Sequence, residues 1–281
     1  MRTPDWKTAG PALAVTGLLL LSTQPAWGNL AMAITPAKLR LTLAPGESRA
    51  EAVEVYNNGD EPVRVVTTVE DWATTPDGGV DLLPRGSQPR SASAWARADL
   101  SDFTVPPHGM RVVRVTATLP DTARGSYWTI IFFEGQAEIR RAKLGLATRV
   151  RMGTTVYLTA AGTESRGSTI TGMAVQPGAQ RDTLSLMGQV ANRGNVYFYP
   201  TGWFQVTDPT GTVLFQQGLP YRVCLPGSET VYRLPWHPTG TGPYRLLLTV
   251  DSGEESLLQG IKEFDVVAPT PVGASLTKAA Q

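Results

Sequence analysis

The sequence predicts an all-β protein made of two immunoglobulin-like β-sandwich domains in tandem. Three observations carry that prediction. After the amino-terminal segment no run places apolar residues at helical spacing. Short alternating or β-branched segments recur instead, separated by Gly, Pro, Asn and Asp, which is the pattern of an antiparallel β-protein. The pattern breaks once, into the small and polar residues of "TAAGTESRGS" (159–168), and then restarts.

The chain opens with Arg2 and Lys7 ahead of an apolar run that peaks at Leu18 to Leu21 and ends among small residues. This is the layout of a secretory signal peptide. It predicts a signal over residues 1–28, with cleavage after Gly28, or to residue 33, with cleavage after Ala33. The run between Pro11 and Pro25 is short for the roughly 20 residues a membrane span needs. No later segment is long and apolar enough to cross a bilayer, so no membrane span is expected after signal cleavage, and the expected location is outside the cytoplasm.

Loss of residues 1–28 takes two bases (Arg2, Lys7) from 25 and one acid (Asp5) from 24, so the two signs balance at 23 each. A balanced chain gives no electrostatic case for nucleic acid. The only cysteine, Cys224, has no partner in the chain for a disulfide, and in "YRVCLPG" it reads as a small buried apolar residue on a strand.

Residues 34–160 form the first expected domain. Its strands are "AKLRLTLA", "AEAVEVYN", "PVRVVTTVEDW", "SAWARADLSDFTV", "MRVVRVTATL", "SYWTIIFFE" and "AKLGLATRVRMGTTVYL". Turns such as Pro45-Gly46-Glu47 and Asn58-Gly59-Asp60 separate them. Seven strands in about 125 residues suit an immunoglobulin-like sandwich. Residues 165–268 form the second, with "TITGMAV", "DTLSLMGQVAN", "VYFYPTGWFQVTD", "TVLFQQG", "TVYRLPW", "YRLLLTVD" and "IKEFDVV". The end, 269–281, reads as a flexible tail.

Nothing in the sequence makes an enzyme. His108 and His237 lie in turns, away from any Ser, Cys or Glu at a motif spacing, and no metal, phosphate-loop or dinucleotide motif occurs. No cofactor is expected. Trp72, Trp95, Trp128, Trp203 and Trp236 read first as core residues, with a sugar-binding face as the alternative.

Once placed, the strands of the first half resemble the PapD-like periplasmic pilus-assembly chaperones, a two-domain immunoglobulin-like family. The resemblance rests on "ITPAKLRLTLAPGES", "VEVYNNGDEPVRVVTTVEDW", "FTVPPHGMRVVRV", "RGSYWTIIFF" and "LGLATRVRM", which follow the family's order. It covers roughly residues 34–158, and the second half is similar in architecture only. The resemblance implies a non-enzymatic periplasmic chaperone that binds pilin-like or surface-fibre subunits by lending them a strand, with an outer-membrane usher as a further partner. Leu144, Leu146 and Val150 would then fill the subunit's groove, while Lys38 and Arg151, with Arg40 as substitute, would hold its terminal carboxylate. Gly125 stands where the family carries a Glu of an interdomain ion pair. Arg151 has the opposite parity from the leucines, so the two roles share a face only if a bulge intervenes. A structural or adhesive exported surface protein built from the same sandwiches is the alternative.

Overall fold

The computed structural model describes residues 32–137 and 149–267. The expected signal segment 1–28, the tail 269–281 and the strand positions Leu144 and Leu146 lie outside the described residues. Among the described residues none is helical, and no helix is long and apolar enough to cross a membrane.

The first seven strands are β1 (Met32–Thr35), β2 (Lys38–Leu43), β3 (Ser48–Asn57), β4 (Val63–Thr74), β5 (Val80–Leu83), β6 (Ala96–Ala98) and β7 (Asp102–Val105). They are followed by β8 (Met110–Thr118), β9 (Gly125–Ala137) and β10 (Arg149–Ala160). One sheet runs β1-β3-β8-β6; the other runs β2-β10-β9-β4-β5, with β7 also on β4. After residues 161–167 come β11 (Ser168–Pro177), β12 (Leu184–Asn192), β13 (Thr201–Thr207), β14 (Val213–Gly218), β15 (Glu229–Trp236), β16 (Gly242–Asp251) and β17 (Leu258–Val266). They pair as β11-β12-β15 and β14-β13-β16-β17. The protein is therefore all-β, with two immunoglobulin-like sandwiches. Its strand pairs are antiparallel except that β2 runs parallel to β10.

Period-two patterning builds each core, because successive side chains leave a strand on opposite faces. In β2 the row Leu39, Leu41, Leu43 is buried and the row Lys38, Arg40, Thr42 is exposed. Val53, Val55, Val113 and Val115 of one sheet meet Leu41, Ile131, Phe133 and Leu158 of the other. The second core packs Leu186 and Tyr232 against Phe204, Leu246 and Leu248. Cys224 is buried in it, and burial pushes its thiol up, so it behaves as a small apolar side chain.

Three local expectations are corrected. "SAWARADLSDFTV" is not one strand: β6 joins β8 in one sheet and β7 joins β4 in the other. The chain crosses between sheets at Asp99, whose carboxylate accepts the Arg114 N–H at 2.9 Å. "VYFYPTGWFQVTD" does not begin a strand at Val196; Pro200 has no N–H to pair, and β13 starts only at Thr201. Cys224 lies in a single bridge with Phe198, not within a strand.

Both sandwiches use the same corner. At the end of β3, buried Asn57 donates its Nδ2 to the carbonyls of Glu61 (2.8 Å), Val105 (3.2 Å) and Pro106 (3.1 Å), and its Oδ1 accepts from Gly59 N (3.0 Å). At the end of β12, buried Asn192 donates to Val196 O (2.8 Å) and Cys224 O (3.0 Å) and accepts from Gly194 N (2.9 Å). An amide suits this place because it donates and accepts within one short side chain.

The sandwiches meet through a shared apolar layer. Trp72, Trp128, Ile130, Phe132 and Tyr157 of the first pack with Leu225 of the second, flanked by Tyr197 and Val223. Two backbone bonds cross the junction, Ser126 N to Asn195 O (2.8 Å) and Val231 N to Pro76 O (2.6 Å). Asn195 also ties the connecting segment, accepting from Ser165 N (2.7 Å) and donating to Thr163 O (2.9 Å). Gly125 has φ +72°, and a Cβ there would lie 2.2 Å from Asn195 O. No residue but glycine fits, so a Glu at this position would displace the second sandwich.

Two predictions follow from corner and junction. Asn57→Ala and Asn192→Ala each leave buried carbonyls without a donor and should lower stability in urea unfolding by about 2–4 kcal/mol. Gly86 shares the left-handed backbone (φ +75°) but has open space at its Cβ. Gly86→Ala should therefore cost about 1 kcal/mol of backbone strain, and Gly125→Ala roughly 3 kcal/mol or more, because it adds a clash with backbone. Equal costs by thermal or urea unfolding would contradict the close approach.

Candidate functional site

β10 is regular throughout its described length. It pairs with β9 without a shift from Arg149↔Gln136 to Ala160↔Gly125. On its other side it pairs with β2 only from Thr155↔Lys38 to Ala160↔Leu43. Among the described residues no strand pairs with Arg149–Gly153 on that side. Among the described residues the main chain there is a sheet edge without a paired strand, the kind of edge to which a strand can add.

Because β10 has no bulge here, its two rows stay on two faces. Val150 and Met152 pack against the first core, in line with Val156 and Leu158. Arg149, Arg151, Thr155 and Tyr157 occupy the opposite row, which they share with Lys38 and Arg40 of β2. Any groove-filling by Val150 and any ion pairing by Arg151 therefore use different faces of one strand. Leu144 and Leu146 lie outside the described residues.

The cations of this outer face have unlike surroundings. Arg151 reaches across β9: its guanidinium lies 3.7 Å from the Phe132 ring centroid and pairs with Glu70 of β4, with Thr68 Oγ1 at 3.5 Å. Arg149 lies 3.5 Å from Glu134. Lys38 and Arg40 face the second sandwich instead. The Lys38 ammonium is 5.2 Å from the Tyr199 centroid and 5.0 Å from that of Tyr221. The Arg40 guanidinium is 5.0 Å from the Tyr199 centroid and donates to the Tyr221 hydroxyl at 3.1 Å. Lys38 and Arg151 thus share a face, but their side chains are held by different elements.

Sequence reasoning missed these tyrosines, which form a continuous aromatic path. Trp72 meets Tyr157 edge-on at 6.0 Å, Tyr157 lies 4.4 Å from Tyr197, Tyr197 lies 6.1 Å from Tyr199, and Tyr199 stacks on Tyr221 at 4.5 Å. A signal was present: Tyr197 and Tyr199 share parity in "VYFYP". The stretch reads as strand, and a strand pattern alone does not say what that row meets. Burial raises the Tyr157 phenol far above its ordinary value, and contact with Tyr199 adds to this. Tyr197 is also raised, first by burial. Burial pushes Tyr199 up as well, but its links to Tyr157 and Arg40 and the charge of Lys38 outweigh it, so Tyr199 is more acidic than an ordinary tyrosine. Arg40 is held in its charged form by Tyr199, against burial, with Tyr221 assisting.

The remaining sequence candidates are placed elsewhere. His108 pairs with Asp60 at 3.0 Å in an exposed turn, and His237 is exposed. Trp72, Trp128 and Trp236 are buried, whereas Trp95 is half-buried against Tyr127 and Trp203 is 36% exposed. Those last two belong to different sandwiches, so the tryptophans form no contiguous sugar-binding face.

No protein-family model and no curated protein matches the chain. Solved structures do align with it. A class 5 fimbriae chaperone, CfaA, is 12% identical over 83% of this chain and 99% of its own, with a TM-score of 0.46. A Salmonella enterica SafA pilin complex with the SafB chaperone matches at 13% identity, 86% and 99% coverage and a TM-score of 0.43. The CsuC–CsuE chaperone-tip adhesion subunit pre-assembly complex of Acinetobacter baumannii matches at 11% identity, 82% and 97% coverage and a TM-score of 0.43.

The tyrosine path predicts an ordered alkaline titration. Followed by phenolate absorbance, Tyr199 should ionise before Tyr157 and Tyr197, with Tyr199→Phe removing the early phase. A phenol raised above its unfolded value of about 10 stabilises the fold below that pH and loses its contribution as pH rises beyond it. Tyr199, lowered, works with the opposite sign. The buried Tyr157 and Tyr197 outnumber it, so the unfolding midpoint should fall above about pH 10, less steeply in Tyr157→Phe.

Proposed function

We propose that this chain is an exported, periplasmic chaperone that captures pilin-like or surface-fibre subunits by strand donation, without enzymatic activity or cofactor. The observation that carries the reading is the open edge of β10 at Arg149–Gly153. It adjoins an outer face whose cations Lys38 and Arg40 pair with no carboxylate among the described residues. An incomplete sandwich can add its edge to such a strand by main-chain hydrogen bonds. Leu144, Leu146 and Val150 would supply the alternating apolar side chains on one face. Lys38 and Arg151, with Arg40 as substitute, would meet the subunit's terminal carboxylate on the other. The edge and the cations lie side by side, so strand pairing and charge capture can act on one ligand. An outer-membrane usher is the expected acceptor of the loaded chaperone.

Signal cleavage after Gly28 fits this reading better than cleavage after Ala33. Met32 and Ala33 belong to β1 and pair with Asn57 and Tyr56, and Met32 is buried in the first core. Removing both would delete half of an edge strand.

The test is co-expression in the periplasm with a pilin-like subunit that lacks its final strand, followed by affinity capture. The wild-type chain should hold the subunit, and backbone amides of residues 149–153 should gain hydrogen-exchange protection in the complex. Leu144→Asp with Leu146→Asp should abolish capture. Lys38→Ala with Arg151→Ala should weaken it by about 2 kcal/mol or more, roughly 30-fold in Kd. Unchanged capture by the last pair removes those cations from the mechanism; no capture by wild type favours a structural or adhesive protein.

A further inference from the structure

The two sheets of the first sandwich have unlike outer faces. That of β2-β10-β9-β4 is set with the charge pairs Arg151–Glu70 and Arg149–Glu134. That of β1-β3-β8-β6 is largely apolar. Period two sends Val53, Val55, Val113 and Val115 into the core, so Ala52, Glu54 and Tyr56 of β3 and Met110, Val112 and Arg114 of β8 point outward. Met110 is 47% and Val112 46% exposed, and large apolar side chains left side by side in water mark a contact surface. Two charges lie among them without meeting. Register sets Glu54 opposite Val112 and Ala52 opposite Arg114, so Glu54 and Arg114 are diagonal neighbours, about 7 Å apart. The Glu54 carboxylate instead accepts from the Tyr56 hydroxyl, and the Arg114 guanidinium has no acceptor among the described residues.

We infer that this face is a self-association surface, on which a second copy of the chain packs sheet to sheet with its Glu54 on Arg114 and its Arg114 on Glu54. A face with one carboxylate and one cation on either side of an apolar diagonal is complementary to itself. A twofold axis lying in the face, close to the line from Ala52 to Val112, carries Glu54 onto Arg114, so both ion pairs form at once. The same axis sets Val112 beside its own copy, and the small side chain of Ala52 lets the sheets close to the usual distance of about 10 Å. Strands of the two copies then cross at a steep angle, as in orthogonal sheet packing. The four strands span about 400 Å² of sheet plane, so two copies cover at most about 800 Å² before side-chain relief is counted. This is near the small end of specific interfaces, which begin at about 1,000 Å², so the pair is a reversible dimer. The edge at Arg149–Gly153 belongs to the other sheet, and pairing of this face leaves that edge untouched in both copies. The inference does not rest on the proposed function.

The experiment is sedimentation equilibrium of the mature chain from about 5 to 500 μM, at low and at high salt, with the unfolding midpoint of every variant checked beside it. Wild type should form dimers and no larger species, and salt should weaken them by screening the two ion pairs. Arg114→Glu and Glu54→Arg should each weaken self-association by about 10-fold or more, because each sets like charges across the axis. Mixing these two variants should restore a dimer, since the centre of one altered face is then wholly acidic and that of the other wholly basic. Val112→Asp, at an exposed position, tests the apolar contact independently and should abolish the dimer while the unfolding midpoint holds. A wild type that stays monomeric at the highest concentration overturns the inference. So does a dimer that survives Arg114→Glu, or a mixture of the two charge variants that stays monomeric. Dimers lost in Leu144→Asp with Leu146→Asp but kept in Val112→Asp assign self-association to the β10 edge and overturn it as well. A monomeric chain in which Val112→Asp cuts capture of a pilin-like subunit gives the face to that subunit instead of a second copy.

Discussion

The structure depends on a sheet that is covered on both faces along only part of its length. Where the second sandwich docks, Val156, Tyr157 and Leu158 are buried in succession, a run that a strand with one solvated face would not tolerate. Toward the amino end of β10 the cover stops: Arg149 and Arg151 are exposed, and beyond Thr155 the β2 partner is gone. Among the described residues, one strand thus passes from doubly buried scaffold to an edge without a paired strand within a few residues. The buried half fixes the register and the free half is held in place by it, as precise presentation of an edge requires.

Docking also decides which charges remain unsatisfied. Arg151 lies over Phe132 with Glu70 beside it, so its charge is compensated within the first sandwich. Lys38 and Arg40 instead meet aromatic rings from the second sandwich. Rings hold a cation in place without neutralising it. The usual interdomain ion pair of the resembled family has no counterpart at Gly125. Close backbone approach to Asn195 and an apolar layer around Trp72, Trp128 and Leu225 hold the two sandwiches together there.

Much of this was legible in the sequence, because a strand's two faces are written into alternate residues. Leu39-Arg40-Leu41 and Val53-Glu54-Val55 identify both strand and inner face, and Asn-x-Gly at 57–59 and 192–194 marks both corners. Other features were hidden for physical reasons. Val80 and Leu82 of β5 are exposed, so no burial pattern announces that strand. β6 and β7 read as one segment because a change of sheet leaves alternation intact. The row of Tyr197 and Tyr199 does not announce its partner, because aromatic alternation looks the same whether it faces a partner sheet or a neighbouring domain.

By itself, then, the sequence determined the all-β class, the cores and the two rows of β10, since periodicity and turn chemistry are local properties of the chain. It also shows the cations Lys38, Arg40 and Arg151 in the rows opposite the apolar ones. Only the tertiary structure decided that Arg151 is paired with Glu70, that Lys38 and Arg40 face Tyr199 and Tyr221, and that no strand among the described residues pairs with Arg149–Gly153 on the β2 side. Those partners lie far apart in the chain and meet only when the two sandwiches dock, and no local pattern encodes that geometry.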